Sequence, residues 1–190
     1  MANQAFLSPE KYIRTKARSL PIYECIVNAG WQDSGIASIF IARKHSNGNI
    51  TYGSYLIDIW CLGLKDTAYR FNIDIDEWEE IKGQPDEQGE GVELIDYNLA
   101  HNIIFGGIEF ANDYEFKPHK DFSLTRFILE EDDERIPVED VEFGVGGNAE
   151  RHILLRLPKI TKPKLRLIFL KQTLKKTRLP MLPDRVAPKF

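Results

Sequence analysis

The central architecture of this chain can be read from GIASIFIARKHSNGNITYGSYLIDIW, residues 35–60. Both halves of this stretch are rich in β-branched and aromatic residues, with enough alternation to indicate β-strands. Between them stands SNGN at 46–49, and its Asn-Gly pair accepts the positive φ angles that tight hairpin turns require. The sequence therefore predicts an antiparallel β-hairpin.

Elements on both sides of this hairpin extend the prediction. IYECIVN at 22–28 and LKDTAYRFNI at 64–73 have the composition of further strands. Near the start, Ser8 as N-cap and Pro9 at the first helical position predict a short basic helix. The acidic stretch at 74–91 ends in an exposed connection rich in Gly, Pro and Gln.

A long amphipathic helix is predicted near residues 94–114. Apolar residues and glycines recur there at helical spacing, namely Leu99, Ile103, Gly106, Phe110 and Tyr114 beside Ala100, Ile104, Gly107 and Ala111. Each glycine in a helix costs roughly 1 kcal/mol relative to alanine, so two on the apolar face indicate close approach of another element. DFSLTRFILEEDDE at 121–134 predicts a second amphipathic helix, which completes a helical hairpin.

These elements predict an α+β fold, in which an antiparallel sheet around the 36–60 hairpin is covered by the amphipathic helical hairpin. The residues from 1 to 160 are predicted to form a single domain, and residues 161–190 a basic, Pro-containing C-terminal extension. Two strands around a glycine-containing turn are expected within 138–157, and a strand at 165–170.

Composition limits the class of protein. The chain has 190 residues, 43% of them hydrophobic, and no run of eighteen apolar residues. Its start lacks the apolar region of a secretory signal, so a cytoplasmic protein without membrane contact is expected. The two cysteines, Cys25 and Cys61, are too far apart in sequence for a metal knuckle and are interpreted first as small core residues.

Charge is segregated along the chain. Residues 1–73 contain 8 Lys+Arg and 5 Asp+Glu, residues 74–150 contain 5 and 23, and residues 151–190 contain 12 and 1. The net charge of -4 therefore conceals a strongly acidic middle and a strongly basic end. Such asymmetry suggests a segment that faces nucleic acid or membrane, or an internal pairing of acidic and basic segments.

Two stretches carry a resemblance to a family. GSYLIDIWCLGLKDTAYRF at 53–71 resembles a Gly-x-Tyr-Leu-Val-Asp run followed by Cys-Leu-Gly-Val-Lys-Asp, and GGIEFANDYEFKPHKDF at 106–122 resembles Gly-Ala-x-x-Tyr-Ala-x-x-Leu-Gly-Phe-x-Pro-His-x-Asp. Both patterns are typical of a group of uncharacterised bacterial proteins. Gly107 replaces the alanine, and Tyr114-Glu115 replaces Leu-Gly. The resemblance covers about residues 20–145 and implies a bacterial source, but this group has no established activity to transfer.

One cluster is enzyme-like: Asp58, Cys61, Lys65 and Asp66 stand at the end of a strand and in the turn after it. A lysine near a thiol and carboxylates can activate a nucleophile, since nearby positive charge favours the thiolate. The alternative is that the two aspartates cap turns, Lys65 pairs with one of them, and Cys61 packs in the core. We expect the structural alternative, because no histidine lies close in sequence.

A second set consists of His101, Glu109, His119 and Asp121. Two histidines with carboxylates suit zinc or iron in principle, but their spacing matches no compact ligand motif. The sequence therefore predicts caps and turn residues here, and neither a metal nor another cofactor.

The basic end supports the leading functional hypothesis, a non-enzymatic binding module that contacts an anionic partner, either nucleic acid or ribonucleoprotein or an acidic protein. The candidate binding residues are Lys162, Lys164, Arg166, Lys171, Lys175, Lys176 and Arg178. The competing interpretations of this segment are a solvated surface and a segment folded against the acidic middle. Two other functions stay open: an enzyme centred on Cys61, and a structural subunit of a protein complex that docks through its C-terminal tail.

Overall fold

The computed structural model describes residues 7–83 and 91–144 and has an α+β fold. Within these ranges the strands are β1 (Ile22–Asn28), β2 (Ile36–Lys44), β3 (Ile50–Asp58), β4 (Gly63–Ile73) and β5 (Val92–Ile95). The helices are α1 (Pro9–Lys16), α2 (Trp31–Ser34), α3 (Ile75–Gly83), α4 (Tyr97–Asp113) and α5 (Phe122–Thr125), and a 3₁₀ turn at Ala17–Ser19 follows α1.

The strands form one antiparallel sheet in the order β4-β3-β2-β1-β5. At its centre β2 and β3 pair from Ile36↔Asp58 to Lys44↔Ile50, which confirms the predicted hairpin. Gly48 has a positive φ of 92° in the connecting turn, but Asn47 does not, so only one residue of the Asn-Gly pair has the conformation that the prediction required of both. Because β2 and β3 are paired on both sides, the hairpin is the middle of the sheet.

The first face of the sheet packs against α4. Alternation along β2 and β3 turns Ile39, Ile41 and Ile57 toward this face, where they form the main core with Ile103 of α4. A Cβ on Gly107 would lie 2.7 Å from Cγ2 of Ile57, so the helix can approach the sheet only because this position lacks a side chain. This is the close approach that the paired glycines predicted.

The second face of the sheet is covered in part by α3. Trp78 is fully buried there, packs in one cluster with Ile26, Ile50 and Tyr52, and donates a hydrogen bond from Nε1 to Glu24. The sequence analysis did not predict this helix, because residues 74–80 are strongly acidic. Trp78 nevertheless anchors it, together with Ile75 and Ile81, which pack against the same cluster.

The boundaries around α4 differ from the prediction. Residues Val92–Ile95 form β5, which pairs with β1, and the helix begins only after Asp96. The Asp96 carboxylate accepts a hydrogen bond from the backbone N–H of Leu99 at 3.0 Å, which caps the helix. The pairing of β5 depends on a partner strand about 65 positions away, which no local pattern reveals.

The second helix of the predicted helical hairpin is a single turn, α5, and the chain continues from Arg126 in turns. Arginine side chains hold the carbonyl groups that a longer helix would use: Arg43 donates to Ile128 O at 2.6 Å, and Arg18 donates to Leu129 O. After Thr125 the backbone forms i→i+3 hydrogen bonds, such as Ile128 N–H to Thr125 O at 3.0 Å, instead of the i→i+4 pattern of an α-helix.

Several predictions fall on residues outside the described ranges. They are most of the strand pair within 138–157, the strand at 165–170, and the basic extension at 161–190. Residues 138–144 are described and contain no regular secondary structure. Within the part of the chain that the structure describes, none of the helices combines the length and apolar character needed to cross a bilayer.

Candidate functional site

Asp58 stands where β3 ends and the chain turns toward β4. It is buried, and its Oδ1 accepts hydrogen bonds from the backbone N–H groups of Trp60 at 3.2 Å and Cys61 at 3.0 Å. A carboxylate that accepts from the next two or three residues stabilises a tight turn. These contacts identify Asp58 as a capping residue of this turn.

Cys61 lies in the same turn and is 1% exposed. Burial raises the pKa of its thiol to about 11, so the thiol stays protonated near neutral pH. Since the thiolate is the nucleophilic form, this environment suppresses the reactivity that the enzyme hypothesis requires. The side chain behaves as a small apolar core residue.

Lys65 and Asp66 follow on β4, where both side chains are exposed. Asp66 accepts a hydrogen bond at Oδ1 from the backbone N–H of Thr67 at 2.8 Å. The four residues of the predicted cluster therefore divide into a buried pair, Asp58 and Cys61, and an exposed pair. The exposed Lys65 therefore does not provide the cation that the predicted nucleophile requires.

The structure brings His119 close to Asp66, a proximity that sequence spacing did not reveal. Nδ1 of His119 lies 3.8 Å from Oδ1 of Asp66 and 3.8 Å from Oδ2 of Asp121. The backbone N–H of His119 donates to Leu64 O at 3.1 Å, which fixes this segment against β4. The imidazole can form an ion pair with either carboxylate when it is protonated.

The other histidine of the predicted second set, His101, has a different environment. It is 1% exposed and stacks on Phe105 with ring centroids 4.4 Å apart. Burial lowers the pKa of His101, although Asp132 lies 4.0 Å from Nδ1 and acts in the opposite direction. Glu109 is exposed on α4. Across residues 7–83 and 91–144, no group of three His, Cys, Asp or Glu side chains is arranged to hold a metal ion.

A cavity of about 500 Å³ lies on the second face of the sheet, beside α3. Sequence reasoning missed it, because it depends on how α3 lies against the strands. Its lining combines aromatic, apolar and charged side chains: Ile26, Asn28, Ser38, Phe40, Tyr52, Arg70, Glu77, Glu80, Ile81 and Val92. This mixture of an apolar surface with a few polar groups is typical of small-molecule sites. In the sequence, only the alternation of residues along the strands, which places Phe40 and Tyr52 on one face of the sheet, indicated this cavity.

The predicted binding residues of the basic end all lie outside the described ranges: Lys162, Lys164, Arg166, Lys171, Lys175, Lys176 and Arg178. Their assignment therefore stays a prediction from charge and spacing.

Comparisons with known proteins give no family for this chain. No protein-family model matches the sequence, no curated protein is detectably similar to it, and no solved structure matches its fold. The resemblance to a bacterial group at residues 53–71 and 106–122 stays a prediction from those motifs.

Proposed function

We propose that this protein is a non-enzymatic, cytoplasmic binding module that holds single-stranded nucleic acid through its basic C-terminal segment. The observation that supports this function is the segregation of charge, with 12 Lys+Arg against 1 Asp+Glu in residues 151–190. Cations at such density attract a phosphate backbone without base-specific geometry.

Three cations of the described residues already have carboxylate partners. Arg18 pairs with Glu131, Arg43 pairs with Glu130, and Lys82 bridges Glu24 and Glu79. Cations that already have carboxylate partners attract phosphate weakly, because their charge is neutralised locally. These three cations would therefore contribute little to the attraction of a nucleic acid.

The environment of Cys61 argues against the enzyme alternative. A thiol with 1% exposure and a pKa of about 11 lacks the electropositive, accessible surroundings of reactive cysteines. Asp58, the carboxylate next to it in the turn, accepts two backbone hydrogen bonds. We therefore favour the binding module over the enzyme.

The deciding experiment measures binding of fluorescently labelled single-stranded RNA to the full chain across a salt series. In the test variant, Gln replaces the seven basic residues of the segment, namely Lys162, Lys164, Arg166, Lys171, Lys175, Lys176 and Arg178. If all seven contact phosphate, the logarithm of the binding constant falls with the logarithm of salt concentration with a slope of about -5. The variant is expected to lose this binding, and so is a chain that ends at Lys159.

The matched control replaces Lys11, Arg14 and Lys16, which are exposed on α1, with Gln. This variant should bind RNA within about twofold of the unmodified chain, since scattered surface charges contribute little. Equal loss in both variants, although the control removes three charges and the test variant seven, would refute the assignment to the C-terminal segment. Salt-independent binding, or none at low salt, would refute the proposal and leave an acidic protein as the partner to test.

A further inference from the structure

The cavity beside α3 has an aromatic floor. The rings of Phe40 and Tyr52 lie on neighbouring strands with centroids 5.8 Å apart, and Ile26 and Val92 add aliphatic surface beside them. Tyr52 is further fixed by Trp78, whose ring centroid is 5.2 Å away. A floor held by core packing does not need to rearrange when a ligand binds, which lowers the cost of binding.

The α3 side of the cavity is acidic. Glu77 and Glu80 line it from the helix, and neither forms an ion pair with another described residue. The neighbouring Glu79 differs, because it pairs with Lys82 at 2.9 Å. The charge of Glu77 and Glu80 is therefore available to a ligand, whereas the charge of Glu79 is already neutralised.

Arg70 also lines the cavity, from β4. With one guanidinium and two carboxylates, the lining has an excess of one negative charge. Aromatic faces also favour a cation, since their quadrupole is negative above the ring. The aromatic floor and the carboxylates thus favour the same ligand charge.

From this combination we propose that the cavity binds a small organic cation, with its apolar body on Phe40 and Tyr52 and its ammonium group at Glu77 and Glu80. The volume of about 500 Å³ lies within the range of small-molecule sites. This proposal uses other residues than the proposed nucleic-acid segment, and its ligand has the opposite charge.

The test compares two probes of similar size on the full chain by isothermal titration calorimetry. Phenethylamine has a phenyl ring and an ammonium group, and 3-phenylpropionate has a phenyl ring and a carboxylate. A cation with so few heavy atoms should bind with a Kd of about 1 mM. The anion should bind at least about tenfold more weakly, because it meets two carboxylates.

Substitutions in the lining test whether phenethylamine binds in the cavity. The double substitution E77Q/E80Q should weaken phenethylamine binding about tenfold, while Glu79→Gln, as the matched control, should leave it unchanged. Arg70→Gln should strengthen it, because a competing positive charge is removed. Each variant is first checked for an unchanged circular dichroism spectrum and melting temperature.

Three outcomes of the binding measurements would overturn the proposal: binding of the anion as tightly as the cation, no binding of phenethylamine at about ten times the expected Kd, or equal effects of E77Q/E80Q and Glu79→Gln. NMR adds a readout of position, since the amide signals of Phe40 and Tyr52 should shift on titration. Shifts confined to other parts of the sheet would also refute this location.

Discussion

Nη2 of Arg43 donates a hydrogen bond to Oε1 of Glu130 at 2.6 Å, across 87 positions of sequence. Arg43 is 1% exposed, and its other N–H groups donate to the carbonyl oxygens of Ile128, Arg18 and Leu20. A buried guanidinium is tolerated because its donors meet acceptors. One side chain of β2 therefore joins the segment before β1 to the segment after α5.

Replacing Arg43 with Met should reduce the free energy of unfolding by about 3–5 kcal/mol. The apolar side chain fills much of the space but leaves the Glu130 carboxylate and several carbonyl groups without their donor. Urea unfolding at neutral pH measures the loss.

The control is Arg135→Met, because Arg135 also pairs with a carboxylate but its side chain is 74% exposed. That control should change stability by less than about 1 kcal/mol. A similarly small change in Arg43→Met would show that Arg43 does not join these segments.

Gly63 is predicted to tolerate no side chain. Its φ is +61°, and a Cβ there would lie 2.5 Å from Gly107 O and 2.6 Å from Cβ of Ala111. Gly63→Ala should therefore cost about 3 kcal/mol, from backbone strain together with the forced separation of β4 and α4. Thermal unfolding measures this cost. Gly83→Ala is the control, since among the described residues no atom outside its own helix and chain neighbours lies within 4 Å of its Cβ position. Equal melting temperatures for the two variants would contradict the close contact between β4 and α4.

His101 is expected to make the fold less stable in mild acid. Burial lowers the pKa of His101 in the folded state, so the unfolded chain takes up a proton first as the pH falls below about 6.5. The stability contributed by the neutral imidazole is present above that pH and decreases toward the folded-state pKa, by at most about 1.4 kcal/mol per pH unit. Asp132, Asp133 and Glu130 oppose this effect but do not outweigh burial.

The test compares urea unfolding of the unmodified chain and His101→Gln between pH 7 and pH 5. The difference between their stabilities isolates His101, because all other titrating groups are shared. His45 also has a pKa lowered by burial, so His45→Gln is measured as a second variant to determine its separate share. If the stability of His101→Gln falls with pH as steeply as that of the unmodified chain, protonation of His101 does not control the acid dependence.

Cys61 should react slowly with thiol reagents while the chain is folded. Its pKa of about 11 leaves few thiolates at pH 8, and Cys25, with a pKa of about 12, leaves fewer still. In the variant Cys25→Ala, alkylation by iodoacetamide should be at least about a hundredfold slower in buffer than in denaturing urea, where the pKa returns to about 8.5. Rapid labelling of Cys61 in the folded chain would restore the enzyme hypothesis.

The central hairpin could be predicted because its signals are local. The Asn-Gly turn and the strand composition on both sides act within about ten residues of each other. The long helix α4 was predicted for the same reason, since its apolar spacing repeats over four turns. By contrast, the helix over residues 75–83 was missed because its sequence is strongly acidic, although buried Trp78, with Ile75 and Ile81 beside it, holds it against the sheet.

The candidate site residues also divide into those that local sequence predicted and those that depend on tertiary contacts. That Asp58 caps a turn followed from its place after a predicted strand, and the structure gives it two backbone partners. The proximity of His119 to Asp66 depends on the return of the chain to β4 after α4, which no spacing in the sequence expresses. Nor could the sequence reveal the cavity beside α3.

The sequence by itself determined the antiparallel hairpin, the α+β class, the long apolar helix and the segregation of charge, because periodicity, turn chemistry and charge counts are properties of neighbouring residues. Only the tertiary structure decided that Arg43 meets Glu130, that β5 pairs with β1, and that Glu77 and Phe40 line one cavity. These relationships join residues tens of positions apart. They form because burial of the shared core brings the segments together, and their energy depends on that packing rather than on local preference.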